Sequence, residues 1–154
     1  MRLGRQDVRD HSVYELSRWV GIVQQDPEAQ LCTLSVMDEV AFGPENFLME
    51  KEEIRVRVGW ALDVVGAKHL VGRETTNLSG GEKQRLAIAS ILALRPKAII
   101  FDEPTSQLDP KGSAQIFSII AELQRTTDMT IIVVEHKLRQ VLPLSSRVVV
   151  MDQG

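Results

Sequence analysis

Among 154 residues there is a single cysteine, Cys32, so the chain cannot close an intrachain disulfide and gives no sign of an oxidising compartment. A lone thiol of this kind is most often a buried or idle one. Long hydrophobic runs are also missing. Runs such as Ala98–Phe101 and Ile131–Val134 hold four residues each, against the roughly 20 that a membrane-spanning helix needs. No apolar core follows the positive charges near Met1, so the signal-peptide pattern is lacking. Internal repeats and low-complexity tracts are absent as well. The formal net charge of −3 is too small to give a general reason for nucleic-acid binding. Together these absences predict a cytosolic chain, or one that sits on a membrane only by holding a partner.

What is present is ordinary globular material. Apolar residues at 44 % and charged residues at 25 % suffice for a core and argue against disorder. The length fits one domain. Ser12-x-x-Glu15 is a capping-box pattern that predicts a short helix from Val13. Val20–Val23 reads as a brief strand, and Pro27 closes off any simple continuation of its ladder. Ser35 is placed to cap a helix running to about Gly43-Pro44. Ile54, Val58, Ala61, Leu62 and Val65 recur at helical spacing, so Lys51–Val65 is an amphipathic helix with Gly66 as its stop. Ser79-x-x-Glu82 is a second capping box, and its helix is expected to reach Arg95, before Pro96.

Beyond that point the pattern alternates. Ala98–Phe101 and Thr130–Val134 read as strands buried on both faces of a parallel sheet, and Val148–Met151 as a third. Asp109-Pro110 is an N-cap followed by proline at the first helical position, and Ile116, Ile119, Ile120 and Leu123 form the apolar stripe of that helix. Strand and helix in alternation imply an α/β layer with right-handed crossovers.

Two stretches carry chemistry. Asp102 and Glu103 follow four apolar residues at a predicted strand end, where ligand chemistry of open parallel sheets collects. The first acid can hold Mg²⁺ through its water shell, and the second can orient and deprotonate a water. A solvated acidic turn would look the same, and the pair alone does not decide between them. Leu78-Ser79-Gly80-Gly81-Glu82-Lys83-Gln84-Arg85 is more specific. Two glycines without Cβ let a phosphate approach backbone N–H groups that open a helix, whose N-terminus favours an anion. The Ser79 hydroxyl can donate to a phosphate oxygen. A capping box alone explains Ser79 and Glu82, but not the rest of the octapeptide.

The octapeptide resembles the signature motif of the ABC ATPases, and further motifs of that family occur in the family's order. Gln25 matches the Q-loop glutamine, Ile99-Ile100-Phe101-Asp102-Glu103-Pro104-Thr105 the Walker B segment, and Ser106-Gln107-Leu108-Asp109 the D-loop, with Gln107 where alanine is usual. His136 matches the switch histidine. A finer resemblance is to the ATPases of energy-coupling-factor and cobalt-type importers. It rests on Gln25-Asp26-Pro27-Glu28-Ala29-Gln30-Leu31, on Val40-Ala41-Phe42-Gly43-Pro44-Glu45-Asn46 and on Glu135-His136-Lys137-Leu138. Gln24 departs from that group, in which an aromatic residue is common.

The resemblance implies a role for each of these positions. Ser79, Gly80 and Gly81 would contact the γ-phosphate of ATP held by a second subunit arranged head to tail. Gln25 would reach the Mg²⁺ or the attacking water. Asp102 would hold Mg²⁺, Glu103 would act as the base, and His136 would contact the γ-phosphate of its own subunit's ATP. Ser106 and Asp109 would help to join the two halves. The surface from Asp26 to Leu31 and the helices after it would receive a transmembrane coupling subunit, itself joined to a substrate-binding membrane subunit. The implied fold is α/β, a partial P-loop NTPase-type ABC nucleotide-binding domain with a parallel-sheet core and a mostly helical insert. Residues 1–34 form a core segment with the Q-loop, 35–77 the insert, and 78–154 the signature helix with the C-terminal α/β core. The implied setting is peripheral, on the cytoplasmic face of a membrane, with Mg²⁺ and ATP bound and no nucleic acid.

A phosphate-binding loop reads Gly-x-x-x-x-Gly-Lys-Ser/Thr, and no glycine of this sequence is followed by lysine. The aromatic loop that stacks on adenine in the family is absent too. Met1–Trp19 resembles the segment between the Walker A helix and the Q-loop, and Asp152-Gln153-Gly154 looks like a hairpin turn without its second strand, so truncation at both ends is the expectation. A micromolar nucleotide site needs about 8 kcal/mol, whereas a helix N-terminus contributes on the order of 0.3–2 kcal/mol to holding an anion. The 154 residues alone are therefore expected to bind Mg-ATP very weakly, and exposed sheet edges are expected to promote self-association. Two other readings stay open at this point. One is a soluble ABC ATPase acting on DNA or ribosomes, although the segment from Gln25 to Leu78 is compact and lacks sustained heptads. The other is a non-catalytic dimerisation module that offers only its signature face.

Overall fold

The computed structural model describes residues 2–3 and 6–151, and the Asp152-Gln153-Gly154 turn lies outside them. A two-residue antiparallel ladder joins β1 (Arg2–Leu3) to β2 (Gln6–Asp7). The helix α1 (Val13–Ser17) follows, closed at its start by the expected box. The Glu15 amide donates to Ser12 Oγ at 3.2 Å, and the Ser12 amide donates to the Glu15 carboxylate at 2.8 Å.

The core is a parallel sheet of β3 (Val20–Val23), β4 (Ala98–Asp102) and β5 (Thr130–Val134), in that order. Val20 pairs with Ala98 and Val23 with Phe101, while Ala98 pairs with Thr130 and Asp102 with Val134. The carboxyl ends of all three strands therefore reach one edge. Between β3 and β4 lie α2 (Val36–Asn46), α3 (Lys51–Val64) and α4 (Gly80–Leu92), and between β4 and β5 lies α5 (Pro110–Thr126). Both connections step the same way across the sheet, so right-handed crossovers put them on the same face. A single apolar cluster confirms this, joining Val23, Ile99 and Phe101 to Leu86 and Ile88 of α4 and to Ile116 and Leu123 of α5. The fit is closest at Gly21, where a Cβ would stand 2.1 Å from Ile91 Cγ2. Only glycine lets β3 lie so near α4.

The other face of the sheet is open. Ile22 is 51 % exposed, and Ile132 and Val134 are each 46 % exposed. This corrects the expectation that β5 is buried on both faces, because no connection within residues 20–134 can cross to that side. The expected strand at Val148–Met151 does not form, and those residues are exposed. An apolar stretch becomes a strand only when a neighbour supplies the ladder, and none adjoins it among the described residues.

Two helices end elsewhere than expected. α2 runs two residues past Pro44. The proline removes one donor, yet its carbonyl accepts from the Met49 amide at 3.2 Å while the Leu48 amide donates to Glu45 O at 2.8 Å. This closing pair of bonds is of the Schellman type, with Leu48 at φ 53 where glycine is usual. α4 stops at Leu92 rather than Arg95. Arg95 turns to φ 51, and the Arg57 guanidinium of α3 takes up the freed carbonyls of Ala93 and Leu94 at 3.3 and 3.0 Å. After β5 come α6 (Leu138–Val141) and a short 3-10 turn. Among the described residues no helix is long and apolar enough to cross a membrane.

Candidate functional site

The parallel register decides what gathers at the carboxyl edge. β4 delivers Asp102 as its last residue and Glu103 as the next, β5 is followed by Glu135-His136-Lys137, and β3 by Gln24-Gln25. Residues 25, 103 and 136 thus emerge side by side from segments far apart in the chain. His136 Nε2 lies 2.7 Å from Glu103 Oε1, with the imidazole side chain 83 % exposed and the carboxylate side chain 25 % exposed. Glu103 adopts φ 45, a left-handed conformation that costs a residue with a Cβ on the order of 1–2 kcal/mol. The turn is held by the Glu103 amide donating to Val134 O at 2.9 Å and by the Ser106 amide donating to Glu103 O at 3.1 Å. Strain kept at one acidic residue, beside a histidine and at a sheet edge, marks that residue as a candidate site. Asp102 and Gln25 are exposed at the same edge, and among the described residues neither side chain is engaged by a neighbour.

The second cluster is at the start of α4. Ser79 is the N-cap, and its hydroxyl is within 3.4 Å of the Glu82 amide. The Ser79 amide and hydroxyl both donate to Glu82 Oε2 at 2.8 Å. The sequence leaves the Ser79 proton available for a phosphate, whereas here Glu82 takes it, so an incoming anion has to compete for it. These bonds from Ser79, with Arg73 at 3.1 Å from the other carboxylate oxygen, hold Glu82 below the usual carboxylate range. Gly80 and Gly81 have no unusual φ, and a Cβ built on either meets nothing within 4 Å. A groove of about 370 Å³ runs from these glycines to Gln107 and Asp109. Asp109 caps α5 there by accepting from the Gly112 amide at 2.6 Å. Residues 79–82 and 107–109 thus share one groove, which Ser106 adjoins in sequence.

A third arrangement was not legible in the sequence. Residues 24–30 are pinned to α4 by their backbone and side chains. The Gln24 amide donates to Gln30 Oε1 at 3.0 Å, and Gln30 Nε2 donates to Ala87 O at 3.4 Å. Gln84 Nε2 reaches Gln24 O at 3.5 Å, and Lys83 pairs with Glu28. Gln84 is 2 % exposed. The available signal was an amide side chain on the apolar face of α4, since buried amides need partners.

Among the described residues no group of three or more His, Cys, Asp or Glu side chains is placed to hold a metal ion. Asp102 and Gln25 are two oxygen donors at an exposed edge. That set suits Mg²⁺, which keeps several waters and leans on substrate phosphates instead of a protein cage.

Comparison with known proteins bears on the family and the fold. The family model described as ABC transporter matches residues 1–106. A Pyrococcus abyssi protein provisionally named an ABC transporter ATP-binding protein is 47 % identical over 148 residues, covering 96 % of this chain and 53 % of the relative. A Saccharolobus solfataricus protein of the same description is 42 % identical over 148 residues, covering 96 % of this chain and 28 % of the relative. The solved structure of cbiO1 from Clostridium perfringens, part of the ABC transporter complex cbiONQ, superposes with a TM-score of 0.78 at 43 % identity, covering 84 % of this chain and 51 % of that one. The chain spans about a quarter to a half of the length of these relatives. The parallel sheet with its packed helices is that of part of an ABC nucleotide-binding domain, and the chain belongs to the ABC transporter family.

Proposed function

We propose that this chain is part of the ATP-hydrolysing subunit of an importer, and that its two clusters serve different nucleotides. Asp102, with Gln25, would hold Mg²⁺ with the ATP of its own subunit. Glu103 would take the proton of the attacking water. Its Oε1 faces His136, which leaves Oε2 to accept from that water, and His136 would contact the γ-phosphate. Ser79, Gly80 and Gly81 would grip the γ-phosphate of ATP held by a second ATPase subunit, with Ser106 and Asp109 at the join. Similarity to cbiO1 supports uptake of a small solute, a metal ion or a vitamin, through a transmembrane coupling subunit and a substrate-binding membrane subunit. Leu34, Met37 and Phe42, which follow residues 26–31 in the chain and are exposed, would contribute to the docking surface, which would place the chain on the cytoplasmic face of a membrane.

The observation that carries this reading is the glycine pair. A glycine inside a helix costs up to about 1 kcal/mol against alanine. Here neither backbone conformation nor packing asks for one. What the missing Cβ atoms leave is room for an external group at two helix-opening N–H donors.

The test uses the 154-residue chain and a complete ABC ATPase subunit whose catalytic glutamate is replaced by glutamine. Sedimentation should show association that requires Mg-ATP. Gly81→Ala should weaken it about tenfold or more, equal to at least about 1.4 kcal/mol, without lowering the melting temperature. The chain alone should give no saturable heat with low micromolar ATP. Association indifferent to nucleotide, or to Gly81→Ala, overturns the role of the signature residues.

A further inference from the structure

Past the end of β5 the chain bends at His136, which stays exposed while its two neighbours are half-buried. Both neighbours reach the same residue. Glu135 Oε1 accepts from the Thr105 hydroxyl at 2.6 Å, and Lys137 Nζ donates to Thr105 O at 2.6 Å. The same ammonium donates to Ser113 Oγ at 3.2 Å. Thr105 and Ser113 are both buried, at 0 % and 1 % exposure. Thr105 follows Glu103 by two residues, and Ser113 stands in the opening turns of α5, which Asp109 caps. Opposite charges thus close on one buried threonine, one on its hydroxyl and one on its carbonyl.

We propose that Glu135, Thr105 and Lys137 form a clip that sets His136 against Glu103 and ties both to the start of α5, and through it to the Ser106–Asp109 loop. These are positioning residues. None meets substrate, and their importance rests on the roles proposed above for Glu103 and His136. The clip accounts for an otherwise awkward fact, that an imidazole so exposed keeps a defined partner. It also gives the edge and the groove a common anchor, because Ser113 and Asp109 belong to the same helix. Movement of the D-loop when a second subunit docks would be felt at His136 through Lys137.

The test is native-state amide exchange and histidine-ring NMR on the 154-residue chain. Thr105→Val removes the hydroxyl at nearly constant volume, and Lys137→Met removes the charge but keeps the stem. In both, exchange at the Glu103 and Ser106 amides should rise by about tenfold through local opening, with Ile88 and Ile99 amides unchanged. The His136 ring resonances should move to the positions they take in Glu103→Gln. Thr105→Ser, which keeps the hydroxyl, should restore the original pattern. If Thr105→Val unfolds the chain, Lys137→Met at its half-buried site carries the same measurement. Unchanged protection and ring resonances in Lys137→Met overturn the clip, as does loss of protection spread equally over Ile88 and Ile99. Loss of ATP-dependent association with these signals intact would refute the proposed function and leave the clip standing.

Discussion

At the first turn of α4, consecutive residues supply the whole arrangement, whereas at the carboxyl edge of the sheet each group arrives on a different strand. Ser79 and Glu82 lie three apart and satisfy each other. Glu103 and His136 meet, and Gln25 follows the neighbouring strand at the same edge, only because β3, β4 and β5 pair in register. The helix end is a local structure in which Glu82 already takes the Ser79 donors, so a ligand that uses the Ser79 hydroxyl must displace an internal bond. The sheet edge is a tertiary structure with groups left exposed, so its geometry depends on whatever holds the strands and their turns. The helix end is therefore expected to tolerate distant damage better than the sheet edge.

The largest expected effect separates them at the core. Phe101 is fully buried in the central strand, and Phe101→Ala should cost about 3–5 kcal/mol in urea unfolding. Before unfolding, the Glu103–His136 pair should loosen while the Ser79–Glu82 box persists. Equal loss of both, followed by NMR, would show that the helix end is no more local than the edge. A smaller effect runs the other way. Ser79→Ala should cost about 1 kcal/mol, confined to exchange at the start of α4, with the His136 ring signals untouched. Spread of that change to the edge would break the distinction.

The smallest effect is in pH. The Ser79 bonds lower the Glu82 carboxyl from its ordinary 4.5. A depressed carboxylate stabilises the fold above its unfolded value and loses that contribution as pH falls through the folded one. The Glu82 carboxyl carbon should therefore titrate with a midpoint below 4.5, and the box should open only in acid beneath that point. A midpoint at or above 4.5 would mean that the box does not form in solution.

How much of this was legible in the sequence follows the same division. Both capping boxes, the Asp109-Pro110 start of α5 and the Gly66 stop of α3 depend on residues within a few positions of one another, and all appear as expected. The first two strands of the apolar series form, because continuous branched and aromatic runs suit a pleated, covered surface. Val148–Met151 has the same composition and forms no strand, since composition cannot supply a neighbour. Pinning of residues 24–30 by Gln30 and Gln84 was illegible because its partners stand more than 50 positions apart. The clip was hidden for the same reason. Glu135 and Lys137 read as parts of a motif around His136, and nothing in their spacing points to Thr105.

By itself, then, the sequence determined the local pieces: which helices start where, which residues open a helix with exposed donors, and which acids end a strand. Hydrogen bonds and rotamers within a turn or two decide these. Tertiary structure alone decided that Glu103 and His136 touch, that one sheet face stays open and that α4 ends early against Arg57. Each of these depends on strand register or on a side chain from a distant helix. Such contacts form only once the apolar faces of β3, β4, α4 and α5 have closed on a single core.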